Sequence, residues 1–94
     1  MAISKSNLKL RLGDVYLTRG VAAKIPPVFV LFALERHMHG DWGDVCKADW
    51  ELNDQAVKDG TRLVSIYKSK TQRTFWVITE ADRSVTTVLM PEEY

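Results

Sequence analysis

TFWVITEADRSVTTVLMP, Thr74 to Pro91, carries two short runs of strict alternation. In the first, Phe75, Val77 and Thr79 oppose Trp76 and Ile78. The second runs from Val85 to Met90, and Pro91 stops it. Period-two alternation of β-branched and aromatic residues is the pattern of a strand with two distinct faces. The joining residues, Glu80-Ala81-Asp82-Arg83-Ser84, include side chains that hydrogen-bond their own backbone in turns, so the stretch reads as a β-hairpin. It is also chemically dense, because Glu80, Asp82, Arg83 and the hydroxyls of Thr79, Ser84, Thr86 and Thr87 fall within nine positions.

Upstream, Thr61 to Tyr67 alternates in the same way, with Leu63, Ser65 and Tyr67 on one side and Arg62, Val64 and Ile66 on the other. With Lys68 to Gln72 as a polar connection, the three runs make an antiparallel meander. Both faces carry apolar side chains, which predicts helices over one face and the N-terminal strand or a partner over the other.

The helices are expected between Thr18 and Gly60. Val45 to Asp59 has Val45, Ala48, Leu52 and Ala56 on one stripe, flanked by Cys46, Trp50 and Val57, and ends at Gly60. Asp49 and Asn53, four apart between those groups, are either hydrogen-bonded and partly buried or aimed at a site. Asp41-Trp42-Gly43-Asp44 is a tight loop whose Trp42 is a lid on the core or a binding platform. Pro27 to His39 is apolar nearly all round over Val28 to Leu34, so a homodimer or partner contact through Phe29 or Phe32 is a second expectation. Thr18 can cap a brief helix with Val21, Ala22 and Ile25 inward, ended by Pro26-Pro27. Leu8, Leu10 and Leu12 alternate as a strand, and Gly13-Asp14 allows a bulge or turn before Val15-Tyr16-Leu17, which makes one bent strand or a short hairpin, while Met1 to Asn7 is a polar arm expected to fray. The expected architecture is one α+β domain over residues 1–94: an N-terminal strand, three helices, then a three-stranded antiparallel meander.

Composition narrows the function classes. The chain has 94 residues, 46% hydrophobic and 27% charged, ordinary for a globular domain and too few for a second one. Its longest apolar run, Val28 to Leu34, is far short of the roughly 20 residues that cross a bilayer. Cys46 is the single cysteine, which rules out an intrachain disulfide and points to the cytoplasm. Net charge is +1, with the acidic residues concentrated between Gly40 and Gly60. So balanced a chain has little electrostatic drive towards nucleic acid.

Three chemistries fit the side chains. An interaction module would use Trp42, Asp49, Asn53, Arg62, Glu80, Asp82, Arg83 and Ser84 as its binding set, since aromatic and arginine anchors dominate interface energy. A small ribonuclease of the barnase-like or RelE-like toxin kind would use His39 or His37 as general acid or base, with Arg62 and Arg83 on the phosphate. A metal site would draw on His37, His39, Asp41, Asp44 and Cys46, but their spacing matches no compact ligand pattern, and neither a metal nor a cofactor is expected. Glycine-rich phosphate loops, nucleophile elbows and Cys-x-x-Cys pairs are absent from the sequence.

GDWG at Gly40 to Gly43, the spaced Asn53, Gly60, Arg62, Ser65 and Tyr67, the run WVITEADRSVTT at Trp76 to Thr87, and the closing Pro91 to Tyr94 resemble an uncharacterised family of small bacterial proteins encoded on plasmids, phages and integrated elements. The likeness runs from about Leu12 to Tyr94. It implies a mobile-element setting, with a role in maintenance or in countering host defence, and supplies no mechanism. The expectation is a non-catalytic protein that binds a host or element-encoded protein, with the ribonuclease as the alternative.

Overall fold

Alternation in sequence becomes alternation in burial, except at Ile78 and Leu89, which are buried although they stand in the outward phase. A computed structural model describes residues 9–94, and in it the three runs are β2 (Leu63–Lys68), β3 (Thr74–Thr79) and β4 (Val85–Leu89). They pair antiparallel in the expected order, with Val77 between Ser65 and Val88. Leu63, Ser65, Tyr67, Phe75, Val77, Thr79, Thr86 and Val88 all point to the buried face. The chain is α+β, as its pattern predicts.

A fourth strand departs from expectation. β1 (Asp14–Leu17) joins the edge of β4 in parallel, giving the order β1-β4-β3-β2. It extends the sheet instead of covering its second face. The expected strand over Leu8 to Leu12 is not formed where it can be followed: Leu8 and the Met1 to Asn7 arm lie outside the described residues, and residues 9–13 carry no strand. There the backbone has other partners, because the Leu10 amide donates to the Met38 carbonyl and the Leu12 carbonyl accepts from Thr86.

Three helices connect β1 to β2. Helix α1 (Arg19–Lys24) starts where the Thr18 hydroxyl accepts from the Val21 amide, and stops before Pro26. It buries Val21 and is followed by buried Ile25, whereas Ala22, expected inward, is exposed. Helix α2 (Pro27–Met38) lays Val30, Ala33 and His37 on the sheet, and Gly40 beyond it takes a left-handed φ of 81°. Helix α3 (Lys47–Asp59) ends at Gly60 with φ 72°. Its orientation corrects the expected stripe: Asn53 and Ala56 are buried while Leu52 is 66% exposed. An amide with two partners waiting on β2 outweighs one leucine.

The core forms two clusters. Val21, Ile25, Val30, Ala33, Tyr67, Phe75, Val77, Val88 and Met90 fill the space between α1, α2 and the sheet. Trp42, Ala56 and Leu63 form the second cluster, with Leu10, Val45, Trp50 and Val57 against it. Each large side chain so buried contributes about 1.5–3 kcal/mol.

The GDWG loop has a structural task at the free edge of β2. The Ile66 amide donates to the Trp42 carbonyl (3.2 Å) and the Asp44 amide donates to the Ile66 carbonyl (2.7 Å). One step along, the Asn53 amide group donates to the Val64 carbonyl (2.7 Å) and accepts from the Val64 amide (3.2 Å). The outer backbone groups of Val64 and Ile66 are thereby occupied, which closes that stretch of the edge to pairing. Gly43 permits this approach: its φ is 76°, and a Cβ there would run into the Ile66 carbonyl and the Tyr67 ring.

Candidate functional site: the outer face of the sheet

The helices cover one face only. On the other, register places Ile66, Trp76 and Leu89 in one row and Val64, Ile78, Thr87 and Tyr16 in the next. Arg62 and Glu80 continue the same phase at the end of the sheet, where Arg62 Nε lies 3.8 Å from Glu80 Oε1. The cover here is the C-terminus: after the 3-10 turn Pro91–Glu93, the Tyr94 ring meets Trp76 edge-on at 5.4 Å between centroids. Arg62 donates from Nη1 to the Tyr94 hydroxyl (3.0 Å), and its guanidinium carbon lies 5.5 Å from the ring centroid.

Two clefts flank this contact. One, of about 320 Å³, lies where α3 rises beside β2, with an apolar floor of Val45, Leu52, Val64 and Ile66 and a polar rim of Asp49, Asn53 and Arg62. The other, of about 160 Å³, lies between Ile78, Thr87 and Leu89 and the closing residues Glu93 and Tyr94, with Glu80 and again Arg62 at its rim. Arg62 therefore stands between an apolar hollow and a smaller, more polar one that has the carboxylates of Glu80 and Glu93 on its walls. A guanidinium has five N–H donors, and apart from the Tyr94 bond and the long contact to Glu80, no partner occupies those of Arg62 among the described residues. Such an arginine on an apolar floor suits an incoming carboxylate or carbonyl.

Of the residues nominated from sequence, Asp49, Asn53, Arg62 and Glu80 meet on this face. The others do not. Trp42 is fully buried, donates from Nε1 to Asp54 (2.9 Å), and offers no ring surface to a partner. Asp82 accepts from both the amide and the hydroxyl of Ser84 (3.0 and 2.7 Å), which fixes the turn and holds its carboxyl below the usual range. Arg83 sits at φ 62° and donates to the carbonyls of Thr61 (2.6 Å), Ala56 (3.1 Å) and Glu80 (3.2 Å), so it clamps the hairpin turn to the last turn of α3. Phe29 is half-buried against the core, whereas Phe32 is 61% exposed.

The catalytic alternative needs His39, Arg62 and Arg83 around one phosphate. His39 instead bonds through Nδ1 to the Glu35 carbonyl (2.9 Å), and neither cleft is lined by His39 or Arg83. For metal binding, no three His, Cys, Asp or Glu side chains converge among the described residues. No helix among them is long and apolar enough to cross a membrane.

Sequence reading missed one polar cluster. His37 is fully buried, with Nδ1 2.6 Å from Ser65 Oγ and Nε2 2.9 Å from Thr79 Oγ1. Thr79 Oγ1 lies 2.8 Å from Thr86 Oγ1, which donates to the Leu12 carbonyl (2.7 Å). A carbonyl only accepts, so the direction of the whole chain is fixed from that end. Thr86 gives its proton to Leu12, Thr79 gives its own to Thr86, His37 Nε2–H donates to Thr79, and Nδ1 accepts from Ser65. The imidazole is neutral, and burial, with the Arg83 charge as second cause, pushes it down to about 4. A hydroxyl bonded to an imidazole resembles a nucleophile with its base. Here Ser65 and His37 are both fully buried and line neither cleft, so the cluster is structural. Its signal in the sequence was Ser65, Thr79 and Thr86 standing in the inward phase of their strands.

Searches of protein-family models, of curated proteins and of solved structures find no significant match to this chain.

Proposed function

We propose that the chain is a non-catalytic interaction protein of a mobile genetic element, acting in the cytoplasm and capturing a host or element-encoded protein on the outer face of its sheet. The observation that carries this reading is Arg62, a cation with vacant donors at the rim of the apolar cleft beside α3 and β2 and of the smaller, more polar one beside Tyr94. Arginine beside partly exposed Trp and Tyr rings is the composition of interface hot spots. Helix α2 adds a second apolar surface, since Val28, Leu31 and Phe32 recur at i, i+3 and i+4 on its exposed side. The mobile-element setting, with an anti-defence or maintenance role, rests on the sequence resemblance alone.

A tagged pull-down from host lysate, with and without nuclease treatment, tests the reading when run beside Arg62→Ala and Leu52→Glu. Both substitutions fall on exposed side chains, so the fold is retained. The expected result is a stoichiometric protein that survives nuclease and is lost in both variants, with Arg62→Ala weakening it by about tenfold or more. Capture unchanged in both variants overturns the assignment of the face. RNA cleaved by the wild type and spared by His39→Ala replaces it with the ribonuclease.

A further inference from the structure

The two edges of the sheet are treated differently. On β2 the outer amides and carbonyls of Val64 and Ile66 all have partners, from Asn53 and the Trp42 to Asp44 loop. On β1 the corresponding groups have none among the described residues. The Asp14 amide donates to Ser84 and the Thr18 amide to Val88, so in a strand the even-numbered residues face β4 and the odd-numbered ones face away. Val15 and Leu17 thus present two donors and two acceptors to an open edge. The side chains beside them are exposed as well: Val15 40%, Tyr16 56% and Leu17 46%. An edge of this kind is a template for another strand.

We infer that a second copy of this chain occupies that edge, with β1 pairing antiparallel to its twin about a two-fold axis through Tyr16. The open groups select this register. Hydrogen-bonded positions in an antiparallel ladder exchange both bonds between facing residues. Setting Val15 opposite Leu17 of the twin, and Leu17 opposite Val15, joins all four open groups of each copy in four bonds confined to β1. Tyr16 then faces its own counterpart at a non-bonded position, where side chains on one face lie closest and aromatic pairs stabilise. Charge agrees with the direction. Asp14 and Arg19 stand at opposite ends of β1, neither with a side-chain partner among the described residues, and only the antiparallel arrangement brings each towards the opposite sign on the twin. The product is one continuous eight-stranded sheet, with the cleft beside α3 and β2 at each far end, away from the seam, and the cleft over Ile78, Thr87 and Leu89 beginning one strand in from it. The inference does not depend on the partner proposed above.

Sedimentation equilibrium from about 10 µM to about 1 mM is the test, because a short edge gives a concentration-dependent dimer. The weight-average mass of the wild type is expected to rise from 10.7 kDa towards twice that value. Two variants localise the contact. Val15→Pro removes an outward N–H and leaves the bonds to β4 in place, as proline on an edge strand does. Tyr16→Lys sets like charges across the axis on a side chain whose exposure spares the fold. Both are expected to stay monomeric with a native circular dichroism spectrum. Amide exchange supplies a direct reading: Val15 and Leu17 become protected at high concentration and unprotected on dilution. A wild type that stays monomeric throughout overturns the inference, and so does association that persists in both variants. Protection of Val15 and Leu17 at every dilution in a monomer also overturns it, because the edge would then be covered within one chain.

Discussion

Protonating His37 breaks a chain whose direction is fixed at its far end. Both ring nitrogens of an imidazolium donate, so Ser65 would lose its acceptor while a charge entered the core without a carboxylate beside it. The consequence for stability has a definite sign. The folded value of about 4 lies below the ordinary 6.5, so the unfolded chain binds the proton more readily between those values. Stability from this group is therefore complete above pH 6.5 and is lost as pH falls to about 4, by roughly 3 kcal/mol in all. Asp82 and Glu93, both held below their usual range, lose theirs in a lower window. Urea midpoints measured every half unit separate the two, and in His37→Leu the slope between pH 6.5 and about 5, above the carboxylate window, is expected to vanish. A wild-type midpoint that stays flat over that window would show that the ring is not buried neutral. Much of this was legible from inward-phase Ser65, Thr79 and Thr86, three hydroxyls that a core must satisfy. Which residue satisfies them was not, because His37 comes from α2, at a sequence distance of 28 from Ser65 and 42 from Thr79.

Helix α3 is placed by two polar clamps more than by its apolar stripe. Asn53 binds it to the edge of β2, and Arg83 reaches from the hairpin turn to the carbonyls at its C-terminal end. Replacing Asn53 with Ala leaves the Val64 amide and carbonyl without protein partners at a part-buried edge, a loss of about 2 kcal/mol. For a chain of this length that lowers the melting temperature by roughly 10 °C, readable by calorimetry. Arg83→Ala removes charge-assisted bonds from a more open site and is expected to lose about 1–2 kcal/mol, with Arg83→Lys recovering part of it. An unchanged melting temperature in Arg83→Ala would return the turn to the list of binding surfaces. Both residues were named from sequence as parts of the binding set, and a hydrogen-bonded structural role was weighed beside it for Asn53 alone. Periodicity could not say whether the partners belonged to the chain. For the same reason the predicted stripe rotated: Leu52 counts towards a hydrophobic face, whereas Asn53 counts against one until the edge of β2 is known. The GDWG loop was legible as a turn, and its role as a strand-edge seal was not, since that depends on Ile66 more than twenty residues away.

At the scale of the whole molecule, the sheet has helices on one face and four C-terminal residues on the other. Glu93 fixes that closure from both ends of the chain, accepting from Thr18 and Gly20 beside α1 and from the Met90 amide at the end of β4. Tyr94 then lies over Trp76 and Arg62, though it is itself largely exposed. The closure is thus anchored by Glu93 and only tipped by Tyr94. Alternation in both phases of the strands foretold an apolar second face needing cover, but no local pattern tells a covering C-terminus from a partner. Truncating the tip separates these contributions. In Tyr94→Ala the Glu93 bonds remain, so the melting temperature is expected to fall by only a few degrees. Trp76, losing its edge-on neighbour, becomes more accessible to acrylamide, while Trp42 stays protected in the core. Arg62, losing its hydrogen bond to the hydroxyl, has one more vacant donor. If the outer face is the binding surface, Tyr94→Ala tightens capture of a partner that displaces the ring and weakens capture of one that packs against it. Quenching that does not change would mean that Tyr94 already leaves Trp76 in solution, and that the outer face stands open without any displacement.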